Sequence, residues 1–214
     1  MKTFIDLVHD IKQKFSGEGT GHDWYHIERV LNTSLHIQSI EGGDKDVISY
    51  AALLHDIDDH KFNGGDFDKG AEVSKNILSD YPLSSEQKNK VIGIVRTISF
   101  KGSGEIDRME TLEGKIVQDA DRIDAIGAIG IARTFAYGGS IKQPIYDPKV
   151  SASKKQSKKE YIEERTHTIN HFYEKLLLLE ERMKTSTGKK IAKDRTNYMK
   201  AFLDQFYNEW NAFK

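Results

Sequence analysis

The sequence predicts an all-α fold in one domain. Three observations carry this. Apolar residues recur at helical spacing through most of the 214 residues, and no convincing period-2 run appears. The three prolines lie outside the strongest helical patterns. A chain of this length builds one substantial core, so a second full domain is not expected.

The elements follow in order. Phe4, Leu7, Val8, Ile11 and Phe15 make one helical stripe, ended by Gly17, Gly19 and Gly21. A second helix starts at Asp23, a residue type suited to the N-cap, and turns Ile27, Val30, Leu31, Leu35 and Ile37 inward. A third helix, roughly 44–58, is apolar nearly all round and should be deeply buried. Segments 68–79 and 85–99 give two shorter helices, 111–137 one long helix, and 159–184 and 189–212 two more. The expected organisation is a single domain over 1–214, with a core at about 20–137. A mobile or functional loop covers about 138–158, and C-terminal helices at 159–214 pack on the core.

Composition narrows the chemistry. Charged residues make up 30% and hydrophobic residues 37%, as in a globular protein with a heavily charged surface. The formal net charge of −1 favours neither nucleic acid nor an anionic membrane, so stable nucleic-acid binding is not expected and attraction for phosphate must be local. Without cysteine there are no disulfides, thiolate zinc sites, iron–sulfur clusters or cysteine nucleophiles. The N-terminal stretch lacks an apolar h-region, and no apolar run nears the ~18 residues of a membrane span. A cytoplasmic location is expected, and oligomerisation is left open.

A His-Asp doublet, His55-Asp56, closes the apolar run Val47–Leu54. A buried carboxylate is costly unless it is paired or bound to a cation. His26 lies upstream in HDWYH and Asp121 downstream in QDADRIDA. Together the four would supply mixed nitrogen and oxygen donors to one divalent ion. That mixture suits Mn²⁺ (preferred), Fe²⁺, Co²⁺, Ni²⁺ or Zn²⁺, with Mg²⁺ less natural. Such an ion lowers the pKa of bound water. Adjacent residues on a regular helix point about 100° apart. Hence His55 and Asp56 share an ion only at the groove between two faces, or where the helix loosens. Asp121 also has a plainer reading, as a helix-surface acid flanked by Asp119 and Asp124.

GHDWYHIERV, AALLHDIDDHKF and KIVQDADRIDAIGAIGIARTFAYGGS, with INHFYEKLLLLEERM and FLDQFYNEWNAF, together resemble a bacterial branch of the HD-domain metal-dependent phosphohydrolases. The resemblance covers nearly the whole chain. It implies an HD-type helical bundle with the metal in the helical core, held by His26, His55, Asp56 and Asp121. The implied activity is hydrolysis of phosphate esters or anhydrides. Members closest to this pattern include nucleotide pyrophosphohydrolases, which release pyrophosphate from nucleoside triphosphates.

Asp59, four residues after His55, is the candidate general acid/base, with Asp58 as competitor and a solvated acidic helix end as the plain alternative. Arg29, three after His26, could clamp a phosphate oxygen or hold Asp56. His22 could be a further ligand or a phosphate donor. His167, His171 and Lys175 recur every fourth residue beside Phe172, Leu176 and Leu179. His171 and Lys175 are candidate phosphate contacts, while His167 reads more readily as part of a solvated face. His9, His36 and His60 are surface or structural residues. The YGGS…QPIYDP segment could be a lid, and Lys154, Lys155, Lys158 and Lys159 read as a solvated loop face. No P-loop or dinucleotide-binding glycine motif occurs. The expected partner is a nucleotide or other phosphorylated small molecule. The alternatives are another HD phosphohydrolase, such as a nucleotidase or cyclic-nucleotide phosphodiesterase, or a non-catalytic metal-dependent nucleotide-binding module.

Overall fold

The computed structural model describes residues 2–16, 23–57, 69–98, 109–152 and 166–213. Among them all regular structure is helical. The α-helices are α1 (Phe4–Lys14), α2 (Trp24–Glu41), α3 (Lys45–Leu54), α4 (Lys69–Leu78), α5 (Ser85–Ile98), α6 (Leu112–Asp124), α7 (Gly127–Ser140), α8 (Thr168–Glu174) and α9 (Ser186–Trp210). The described residues fall into two compact units. One runs up to Ala120 and the other begins at Asp121, so the division lies inside α6.

The first unit is built around α3. Every residue from Val47 to Leu54 is buried, and α1, α2 and α5 pack against this helix. Helix starts in this unit are chemically marked. Thr3 and Asp6 form a reciprocal capping box at α1. The Asp23 side chain caps α2, as its position predicts, and the Asp44 carboxylate accepts from the backbone of Asp46 and Val47 at α3. The third helix ends at Leu54, short of the expected 58. His55, Asp56 and Ile57 form a turn in which the Ile57 N–H donates to the Leu54 carbonyl at 3.1 Å.

The second unit holds the end of α6 and all later helices. Its core includes Phe172, stacked on Phe202, with Phe135 at the edge of Phe202. Here two expected long helices are broken. The 111–137 helix is two helices, because Ile126 is extended and Gly127 takes φ +77°. The Arg195 guanidinium donates to the Ile123 carbonyl at 2.6 Å, where helical bonding would otherwise continue. A Cβ at position 127 would lie 2.9 Å from Arg195 Cγ, so both backbone and space require glycine. The glycine-rich run preserves an apolar helical period, and Arg195, which takes up the Ile123 carbonyl, lies 72 positions beyond Ile123.

The expected 159–184 helix is, where described, the short α8 followed by 3₁₀ turns at Leu176–Leu178 and Glu180–Arg182. Buried Leu176 and Leu179 are three apart, the spacing that a 3₁₀ turn stacks on one side. His167 precedes α8 as its extended N-cap and is buried, contrary to the solvated-face reading. Its Nδ1 accepts from the Asn170 N–H at 3.2 Å, and its Nε2–H donates to the Val150 carbonyl at 2.9 Å. The expected loop starts later than 138, since α7 continues to Ser140. Its described part, 141–152, is tied to α8 through the Thr168 and Ile169 N–H groups, which donate to the carbonyls of Pro144 and Ile145. Lys154, Lys155, Lys158 and Lys159 lie outside the described residues.

Candidate metal centre

Three of the four expected ligands converge in the first unit. His26 sits in the first turn of α2, and His55 and Asp56 follow the end of α3. His26 Nε2 lies 3.2 Å from His55 Nε2 and 3.4 Å from Asp56 Oδ2, and His55 Nε2 lies 3.6 Å from the same oxygen. His55, the C-cap of α3, keeps helical backbone angles (φ −58°, ψ −34°), so the ring and the carboxylate meet through the reach of their side chains across the roughly 100° helical step.

Local structure orients the donors. His55 Nδ1 lies 2.8 Å from the Ala52 carbonyl, which only accepts, so Nδ1 carries the proton. In the neutral ring Nε2 then holds its lone pair toward the site, the arrangement typical of a ligating imidazole. The His26 side chain is 1% exposed and that of Asp56 14% exposed, which leaves the carboxylate as the solvent-facing member. With the His26 proton also on Nδ1, three electron-rich atoms face one point, an arrangement that is unfavourable without a cation.

The spacing fits one. A divalent ion about 2.1 Å from each donor needs donor pairs roughly 3.0 Å apart at right angles, or roughly 3.4 Å apart at the tetrahedral angle. The observed separations run from 3.2 to 3.6 Å. Two imidazoles and one carboxylate on a common face match the donor set of open, catalytic transition-metal sites.

The other expected residues are distributed as follows. Arg29 is half-buried, one turn after His26 on α2. Asp121 belongs to the second unit, half-buried in the last turn of α6. The acids flanking it are not a solvated row: Asp119 is 0% exposed, and buried Asp124 pairs with Arg133 at 2.6 Å. His171 on α8 and Lys175 just after it are half-buried in the second unit. Lys175 leaves helical geometry, so the His167, His171 and Lys175 stripe does not run along one helix. Asp59, its competitor Asp58, His22 and His60 lie outside the described residues. His9 and His36 are exposed.

One part of the site carries no motif: the Ala52 carbonyl orients His55 but is backbone, so no residue type signals it. Beside Asp121, Asp119 is fully buried, and its place among Ile116, Val117, Ala120 and Ile123 in the apolar period of α6 carries that signal in the sequence.

An all-α chain with a His/His-Asp centre in this order defines a class, and the comparisons name it. The HD domain family model matches residues 23–126. The chain belongs to the HD-domain family, among the HD-superfamily hydrolases. It is 33% identical to YpgQ of Bacillus subtilis over 196 residues, 91% of this chain and 87% of that protein. The crystal structure of an HD-superfamily hydrolase from Bacillus thuringiensis is similar, with TM-score 0.77 and 38% identity over 97% of this chain and 96% of that one. So is the crystal structure of B. subtilis YpgQ in complex with ADP, with TM-score 0.71 and 29% identity over 94% and 97% of the two chains. HD domains bind divalent metals, consistent with the three converging donors.

Proposed function

We propose that this protein is a metal-dependent nucleotide phosphohydrolase, and most specifically that it cleaves nucleoside triphosphates to monophosphate and pyrophosphate. The observation that carries the reading is the convergence of His26 Nε2, His55 Nε2 and Asp56 Oδ2 on one point. The ADP held by YpgQ supports a nucleotide as the ligand class. In this reading Asp121 completes the donor set, on the strength of the family motif, and the whole chain acts as one HD-type domain.

His26, His55, Asp56 and Asp121 would hold the ion, with Mn²⁺ as the preferred metal. When bound, it supplies positive charge and Lewis acidity to a phosphoryl group. The residues do the rest. The Ala52 carbonyl keeps the His55 proton on Nδ1, away from the donor face. Asp56 brings negative charge that offsets the cation. Arg29, His22, His171 and Lys175 bind phosphate oxygens, and Asp59 handles a proton of the attacking water or the leaving group. Water adds in line at phosphorus, and the bond to the departing phosphate oxygen breaks.

The test is a nucleotide panel with purified protein and Mn²⁺, scored for pyrophosphate and for phosphate. Pyrophosphate release from triphosphates is expected. Phosphate alone, or cleavage only of cyclic nucleotides, would move the protein elsewhere in the superfamily. Binding of nucleotide without any turnover would overturn the enzymatic assignment.

A further inference from the structure

The two imidazoles of the centre are fixed by different means. His55 is held through its ring, by the Ala52 carbonyl. His26 sits three residues after Asp23, in the opening turn of α2, where helical backbone N–H groups lack partners of their own. Its N–H donates to Asp23 Oδ1 at 2.9 Å and lies 3.1 Å from the Asp23 carbonyl. The Ile27 N–H reaches that same carbonyl only at 3.4 Å. The opening turn of a helix frays first, and this ligand stands in it. A metal donor must be held to within about 0.5 Å of its working position.

We propose that Asp23 is a positioning residue for the metal centre. It acts through His26, by capping the one helical turn that carries this ligand. The inference rests on the metal-centre reading above. Asp44 supplies a matched comparison within the same unit. It caps α3 in the same manner, with Oδ1 accepting at 3.0 Å from Asp46 and 3.2 Å from Val47. The residues it caps, however, lie at the opposite end of α3 from His55. Loss of the Asp44 cap weakens a helix, whereas loss of the Asp23 cap frees a ligand.

The test is Mn²⁺ titration by calorimetry, with thermal melts of the metal-free proteins, on wild type, Asp23→Ala, Asp23→Asn, Asp23→Glu and Asp44→Ala. Asp23→Ala is expected to weaken Mn²⁺ binding about tenfold, the lower end of the range for groups that support metal ligands. Asp23→Asn keeps a short side-chain acceptor and stays within about twofold of wild type, because the bond rather than the charge is what matters. Asp23→Glu keeps the charge but not the capping reach. It weakens binding as alanine does, and carries the test should the alanine variant fail to fold. Asp44→Ala loses at least as much melting temperature as Asp23→Ala, yet binds Mn²⁺ within about twofold of wild type. Unchanged affinity in Asp23→Ala overturns the inference and leaves the centre standing, as does equal weakening in Asp44→Ala. A wild-type protein that binds no Mn²⁺ overturns both.

Discussion

His55 shows how one ring is given a single job. Its Nδ1–H is committed to the Ala52 carbonyl, so its remaining nitrogen faces His26 and Asp56 as an acceptor. Replacing Asp56 by alanine removes the sole anionic member of this trio. We expect Mn²⁺ affinity to fall by more than about a hundredfold, beyond the range for supporting groups, with turnover lost in parallel. Calorimetry and the pyrophosphate assay check the two effects separately, and an Asp56→Ala protein with wild-type turnover would remove Asp56 from the centre. At this scale the sequence was informative where identity carries the chemistry. A histidine and an acid beside it, at the end of an apolar run, marked a buried charge in need of a partner. The Ala52 carbonyl was not legible, since every residue owns one. The depth of Asp119 is legible in the apolar period around it, where Ile116, Val117, Ala120 and Ile123 are all buried.

Among the elements, the capped starts of α2 and α3 were readable, whereas the end of α3 and the break after α6 were not. Asp23 and Asp44 stand before apolar runs and cap them, as short acids do. Asp44 also ties acid stability to a named bond. Burial pushes its carboxyl upward, but the Gln87 amide at 3.0 Å and the backbone N–H groups of Val47 and Asp46 outweigh this and hold it below the usual carboxylate value. A group whose folded-state pKa is depressed adds stability above its unfolded value, about 3.9, and loses it as pH falls through the folded value. Wild type should therefore lose more melting temperature between about pH 4 and pH 2 than Asp44→Asn, in which that proton is absent. Parallel pH profiles would remove Asp44 from the acid response. The break after α6 was illegible for a different reason. An apolar period runs straight through it, and only Arg195, far along the chain, reveals why Gly127 turns there. Gly127→Ala combines a left-handed backbone with a 2.9 Å approach to Arg195 and should cost about 2 kcal/mol. For a chain of this size that lowers the melting temperature by roughly 4–8 °C, readable by calorimetry. A fall of less than about 1 °C would mean that the turn relaxes without strain.

For the molecule as a whole, the all-α class was legible because helical periodicity survives in nearly every segment. The division between Ala120 and Asp121 was not, because it falls within a continuous helix and leaves no loop, proline or change of composition to mark it. Metal binding is the property that spans these scales. His26 and His55 are separated by 29 residues, so the centre exists only when α2 and α3 are packed together. The unfolded chain holds no such cluster, and an ion that binds only the folded form stabilises it by mass action. At a hundredfold excess over the dissociation constant this amounts to about 2.7 kcal/mol. In a chain of this length it raises the melting temperature by roughly 5–10 °C. Saturating Mn²⁺ should therefore produce a rise of that order in wild type, and a chelator should reverse it. His55→Ala should melt at one temperature with or without the ion, whatever its own stability. Asp121→Ala should show a smaller rise than wild type, through weaker binding, if the family motif has assigned that residue correctly. A melting temperature unmoved by millimolar Mn²⁺ in wild type would mean that the three donors, though close together, are not a metal centre.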